Sequence, residues 1–279
     1  MKKVLIVVNG FLGDALLSQP IAERLKVEGQ ADIVDFYIGF PQTKLLLEQN
    51  PYIDNVIVAK NPTSTPPLLK NNKEYNEIRS VNSYDGSSSL TIHHQKSAGV
   101  KEPTIGYKVY TYPKHDKLVV DQLSALDNRP KIGIGLTWKT VGLRTYNSEK
   151  LSSHLMEDYN VLGIGRNPNE THYQSSQELS PEISYSYQAS ICKHLDLMIG
   201  SEGGLTNLAS GVGCKVLYTT DFLWTLAGPK GTHYNHPNPT DILGPKAYFP
   251  NSDHISLPYN IEPENYIENI LKILKNIIK

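Results

Sequence analysis

Cysteine is nearly missing from this sequence: Cys192 and Cys214 are the only two, and they form no C-x-x-C pair. That count and spacing disfavour both a disulfide framework and a thiolate zinc site. An excess of charge of one sign is missing too, because 27 Lys and Arg stand against 28 Asp and Glu, a formal net charge of −1. Such balance argues against a protein whose main task is gripping nucleic acid. No apolar run approaches the ~18 residues of a membrane span. The run Val4–Val8 before Asn9-Gly10 is also too short for the core of a secretion signal, so the expected location is the cytoplasm. The first glycine turn has neither G-x-G-x-x-G spacing nor a following G-K-[ST], so neither a dinucleotide fingerprint nor a P-loop is supported. Finally, no D-x-D pair occurs anywhere, which removes the usual carboxylate clamp for a metal-bound diphosphate.

What is present is a globular mixture, 279 residues with 39% hydrophobic and 20% charged. A chain of that length buries enough surface to need no staples. Val4–Val8 is a continuous β-branched run, the pattern of a strand covered on both faces of a parallel sheet. A glycine turn and Asp14 follow. The apolar positions from Asp14 to Lys26 fit a helix that Pro20 kinks or restarts. Strands are expected at Asp32–Ile38 and Asn55–Val58, with a short helix at Gln42–Glu48 between them. Residues 60–88 have turn and loop chemistry, consistent with a plain loop or with an acceptor-binding lid.

The alternation restarts at Lys131. Strands are expected at 132–137, 160–164, 197–199 and 215–218, with helices at Tyr187–His194 and Leu205–Gly211. Two Rossmann-like halves result, 1–129 and 130–279, joined near Asp127-Asn128-Arg129-Pro130. Pro263–Lys279 reads as an amphipathic helix, with Ile267, Ile270, Leu271, Leu274, Ile277 and Ile278 in one stripe and lysines toward its end. It is expected to pack on its own protein, with the N-terminal domain as a candidate surface. The sharper alternative is peripheral contact with an anionic membrane.

Ligands of open parallel sheets bind beyond the carboxyl ends of the strands, where two loops stand out. In Asn9-Gly10-Phe11-Leu12-Gly13-Asp14, the carboxylate is either a helix cap or an ionised base able to take a proton from a substrate hydroxyl. In Gly200-Ser201-Glu202-Gly203-Gly204-Leu205-Thr206-Asn207, backbone amides can approach phosphate or sugar oxygens, and Glu202 can accept from a hydroxyl pair; a plain tight turn is the alternative. His233-x-x-His236 offers at most two ligands with no evident third, so no metal site is expected.

Four segments carry a resemblance. Lys3 to Val8 with Leu12-Gly13-Asp14-Ala15-Leu16-Leu17-Ser18-Gln19-Pro20 resembles the opening of glycosyltransferase family 9, the ADP-heptose:lipopolysaccharide heptosyltransferases. Glu48-Gln49-Asn50-Pro51-Tyr52-Ile53-Asp54-Asn55-Val56-Ile57 is similar to that family's "NPYIDEVI" segment. Leu195 through Ala209 is similar to its donor-site pattern D-x-x-I-G-x-[DE]-[TSG]-G-x-x-H-x-A, and Trp224 through Gly228-Pro229 to the loop after it. The resemblance implies a GT-B architecture, two Rossmann-like doubly wound domains facing a cleft. It also implies an inverting transfer of sugar from a nucleotide-diphosphate donor, ADP-heptose-like, to a hydroxyl of a glycan or lipid-linked glycan, without cofactor or metal. Asp14 falls on the family's general base, and Asn9, Gly10 and Gly13 form its acceptor-side loop. Thr137, Lys139 and Arg144 fall near the loop used for donor phosphates, where a cation meets the charge growing on the departing diphosphate. Glu202, Gly203, Gly204 and Asn207 would hold the nucleotide-sugar. Here Glu202 stands for the commoner Asp, Gly203 for Thr and Asn207 for His, and the chain is short between residues 60 and 115. Two other classes use the same cleft: a nucleotide-sugar epimerase or hydrolase, and a non-catalytic sugar-nucleotide or glycan binder.

Overall fold

The computed structural model describes residues 1–59, 74–81, 90–135, 145–165, 184–201, 203–219, 255–256 and 265–278. Thr137, Lys139, Arg144 and Glu202 lie outside them, as do His233 and His236. The amino-terminal lobe is built on β1 (Lys3–Val8), β2 (Ile33–Ile38), β3 (Asn55–Val58) and β4 (Glu77–Ser80), all parallel, in the order β3-β2-β1-β4. Its helices are α1 (Leu12–Leu17), α2 (Pro20–Val27), α3 (Lys44–Leu47), which follows a 3₁₀ turn at Pro41–Thr43, and α4 (Leu90–Ser97). After α5 (Pro113–Leu123) comes a second parallel sheet: β5 (Lys131–Gly135), β6 (Asn160–Ile164), β7 (Leu197–Ser201), β8 (Val216–Thr219) and β9 (Ile255–Ser256), in the order β6-β5-β7-β8-β9. Around it lie α6 (Thr145–Leu155), α7 (Tyr185–Lys193), α8 (Gly204–Gly211) and α9 (Tyr266–Ile277). Both orders are those of doubly wound α/β sheets.

The strand alternation explains the amino-terminal core. Val4, Ile6 and Val8 enter one apolar cluster with Ile21, Leu25, Val34 and Phe36, whereas Leu5 and Val7 face Tyr37, Ala59 and Tyr75 on the other side. One charged residue, Asp35, is buried in this sheet because its partners are all in place. Asp35 accepts from Tyr75 Oη at 2.8 Å and Asn55 Nδ2 at 2.9 Å, and pairs with Lys3 Nζ at 3.1 Å. Pro20 does end one helix and open the next, since α1 stops at Leu17 and Pro20 occupies the first turn of α2.

Two expectations need correction. Residues 60–88 are not loop throughout, because β4 falls within them; Glu77-Ile78-Arg79-Ser80 lacks an apolar run since it is an edge strand, and Arg79 Nη2 pairs with Glu77 at 2.6 Å. Next, α9 packs on the carboxy-terminal sheet rather than the amino-terminal lobe: Ile270 and Leu274 are buried among Ile132, Ile134, Val161, Leu197 and Leu217. An apolar stripe says that a helix face is covered, not by which sheet. The segment from Tyr107 to Leu123 packs between the lobes. Tyr107, Val109, Val119 and Leu123 share a cluster with Tyr187, Ile191, Leu205 and Leu208, and the Val109 amide donates to the Gly211 carbonyl at 2.9 Å.

Candidate functional site

That shared cluster also takes in Leu12, Leu16 and Leu17 of α1, so α1 and α8 meet across the lobes. Each helix follows the carboxyl end of a central strand, β1 and β7 respectively. The two glycine loops singled out in the sequence are therefore brought together. Their closeness depends on missing side chains. A Cβ on Gly204 would stand 2.8 Å from the Cβ of Leu12, and one on Gly13 would stand 3.3 Å from Asn207 Nδ2 and 3.8 Å from Gly204 Cα.

Asp14 lies at this junction, with its side chain 38% exposed. The carboxylate folds back over its own loop, where Oδ2 accepts the Phe11 amide at 3.0 Å. Gly10 makes room for it, since a Cβ there would fall 2.1 Å from Oδ2 and 2.2 Å from Cγ. Burial raises the carboxyl above its usual pKa, and the Phe11 hydrogen bond opposes part of that rise. A carboxylate so placed is more basic than a solvated one, which suits proton abstraction. The cap reading and the base reading of Asp14 are thus compatible, because Oδ2 is engaged by the backbone while the side chain keeps an open edge.

Asn9 is exposed, and Gly10 and Gly13 are half-buried, at the mouth of this loop. Phe11 is 64% exposed beside them. Its ring meets Phe40 edge-on at 5.9 Å, and Phe40 in turn tilts on Tyr185 of α7 at 5.9 Å, so an aromatic ledge bridges the two lobes.

On the opposite loop, Gly203 precedes α8 and provides no capping side chain for its first amides. Asn207 differs from the sequence expectation. It is only 2% exposed, its side chain set from α8 against Gly13, and its backbone carbonyl accepts from Tyr107 Oη at 2.7 Å. Its Oδ1 has no hydrogen-bond partner among the described residues. A buried acceptor left unmade costs roughly 1–3 kcal/mol, which a water or a ligand donor would recover. Of the predicted site residues, the structure brings together Asn9, Gly10, Gly13, Asp14, Gly203, Gly204 and Asn207. A cleft of about 250 Å³ lined by Gln19, Glu23, Asn50, Lys108 and Tyr110 opens at the start of α2 and includes neither Asp14 nor the α8 loop.

The sequence reading missed His94. This α4 residue is buried, and its Nε2 lies 3.7 Å from Asp14 Oδ1. Nothing in Leu90–Ser97 marks it, because the helix buries Thr91, His93, His94 and Gln95 in place of an apolar stripe. No group of three or more His, Cys, Asp or Glu side chains able to hold a metal occurs among the described residues. No helix among them is long and apolar enough to cross a membrane.

No family model matches the sequence, and no curated protein matches it. Solved structures do. The ADP-heptose LPS heptosyltransferase II of E. coli superposes with a TM-score of 0.67 over 99% of each chain, at 14% identity. A glycosyltransferase of family 9 from Veillonella parvula gives 0.64 at 14% identity, covering 100% of this chain and 90% of its own. The E. coli heptosyltransferase WaaC, solved with ADP, gives 0.61 at 13% identity over 98% and 99%. At such identities the likeness is one of architecture, and it meets the resemblance carried by the motifs around Asp14, Asn50 and Gly203: this chain has the GT-B fold of two Rossmann-like lobes.

Proposed function

We propose that this protein is a glycosyltransferase that moves a sugar from a nucleotide-diphosphate donor to a hydroxyl of a glycan acceptor. The observation that carries this reading is the placement of Asp14: a raised, half-open carboxylate in the loop and helix after β1, on the helix that packs against α8 across the lobes of a GT-B fold. In the reaction, the acceptor oxygen attacks the anomeric carbon as the bond from that carbon to the diphosphate breaks. The electron pair leaves with the diphosphate, the acceptor proton passes to Asp14, and attack opposite the leaving group inverts the anomeric centre.

The donor side belongs to the second lobe. The amides at the start of α8, exposed by Gly203 and Gly204, approach the diphosphate or sugar oxygens. Asn207 contributes by holding that loop against Gly13, and its lone Oδ1 offers an acceptor at the floor. Thr137, Lys139 and Arg144 are assigned to the charge of the leaving diphosphate and Glu202 to a hydroxyl pair, on the strength of their positions in the motifs. The lack of any D-x-D pair supports a reaction that needs no metal. On the acceptor side, the exposed face of Phe11 beside Asp14 suits the apolar face of a sugar ring. An ADP-sugar is the first donor to try, since WaaC of like fold was solved with ADP.

The test is a donor-release assay with ADP-sugars, run with and without a panel of glycan acceptors and read by mass spectrometry. Nucleotide release that requires an acceptor and yields an extended glycan supports transfer. Release without acceptor identifies a hydrolase or epimerase instead. Binding without any turnover identifies a binding protein.

A further inference from the structure

The buried pair behind Asp14 has a polarity that the geometry fixes. Ser18 Oγ stands 2.7 Å from the Asp14 backbone carbonyl, which can only accept, so the hydroxyl proton lies between them. The same Oγ lies 3.0 Å from His94 Nδ1 and, its proton spent, is the acceptor of that contact. Nδ1 therefore carries the ring proton, and Nε2 is left with a bare lone pair. That lone pair faces Asp14 Oδ1 at 3.7 Å, longer than a hydrogen bond in the structure as it stands. An ionised carboxylate gains nothing from such a neighbour, whereas a protonated one can donate to it.

We propose that His94 is a positioning residue for Asp14: held by Ser18 as the Nδ1–H tautomer, it accepts at Nε2 the hydrogen bond of the Asp14 carboxyl once that carboxyl has taken up a proton. This rests on the reading of Asp14 as the base, and it deepens that reading by naming what makes the carboxyl a willing acceptor. The proton balance is simple, because the acceptor hydroxyl's proton ends on Asp14, shared with His94, and the ring gains no charge. Burial, and after it the neighbouring His93, hold His94 neutral by pushing its pKa down to about 3. A leucine would fill the same space without burying a polar ring, so the histidine is present at a cost that packing alone does not explain.

The surroundings leave this pair dominant. On α4 the other titratable ring is His93, 6.2 Å away edge-on. From α1 the group facing His94 is Asp14, and α8, packed on α1, carries no titratable side chain. On α2, Arg24 pairs with Glu28 and Glu102, Lys26 pairs with Asp54, and Glu23 lines the separate cleft beside Lys108.

Nuclear magnetic resonance on the full chain tests this without any substrate. Ring ¹⁵N shifts of His94 should show a neutral Nδ1–H tautomer throughout pH 5–8. The Asp14 ¹³Cγ midpoint, assigned by its loss in Asp14→Asn, should fall by about half a pH unit or more in His94→Leu and recover in His94→Gln, whose amide oxygen can replace Nε2. An Nε2–H tautomer in the unaltered protein overturns the proposal, and so does an unchanged midpoint in His94→Leu. Should His94→Leu fail to fold, the tautomer alone decides. Neither signal depends on turnover, so full transfer activity in Asp14→Asn would remove the base reading while leaving this measurement to be judged separately.

Discussion

Two carboxylates of the amino-terminal lobe are treated in opposite ways. Asp14, at the cleft end of the lobe, is raised by burial, which outweighs the backbone amides of Phe11 and of Asp14 itself, and it faces a lone pair. Glu28, just beyond α2, is only 8% exposed, yet it is held below the ordinary range. Burial pushes Glu28 up, but the amides of Lys101 and Glu102 at 3.0 and 2.9 Å, the Gln30 amide and the Arg24 guanidinium outweigh it. One site spends partners to keep its charge; the other withholds them. The contrast separates a carboxylate that ties α2 to the chain beyond α4 from one kept ready to change protonation state.

The contrast can be broken first at Gly10. A Cβ there collides with the Asp14 carboxyl, so Gly10→Ala should displace the base and lower transfer about a hundredfold, the usual effect of a misplacement near 1 Å. Donor binding, measured by calorimetry, should hardly change. A crystal structure of that variant with the carboxyl unmoved would remove the explanation.

Glu28→Ala should act on stability alone, costing about 1.5–3 kcal/mol in urea melts at pH 7, the range for hydrogen bonds to a charged group. The sign with pH follows from the lowered value. Glu28's contribution is complete above the unfolded value of 4.5 and is lost as pH falls through the folded one, so parent and variant should converge in acid.

The smallest effect is the most telling. Because Asp14 is raised in the folded state, stability falls as pH rises from its unfolded value of 3.8 through the folded value, and that deficit persists at pH 7. Asp14→Asn keeps an acceptor for the Phe11 amide and removes the deficit. It should melt at or about a degree above the parent at pH 7, with the difference vanishing near pH 4. A clear drop in melting temperature would make Asp14 a structural cap like Glu28.

The parts of the molecule legible in the sequence were those governed by apolar pattern. Val4–Val8, Ile132–Ile134 and Leu197–Ile199 are buried on both faces and read as strands without help, and Pro20 marks a helix restart because it has no N–H to give. The α9 stripe was equally plain, but its docking surface was not, since hydrophobic burial is non-directional. β4 escaped because an edge strand bearing Glu77 and Arg79 looks like loop. α4 escaped because its buried side chains are polar: His94 meets Ser18 and Gln95 the backbone of Thr104, while Thr91 Oγ1 has no partner among the described residues, and none of this shows in an apolar pattern. Asp14 was visible only through its motif, and His94, 80 positions later in the chain and without a motif, was not visible at all.

The central claim is that Asp14 takes the acceptor's proton in the cleft between the lobes. Its most direct test is a single-turnover transfer assay on Asp14→Asn, paired with donor affinity measured on the same preparation. The account predicts donor binding within about twofold of the parent and transfer reduced roughly 10²–10⁴-fold, the span of general-base catalysis. Transfer at the parent's rate, with the donor bound equally well, would contradict it.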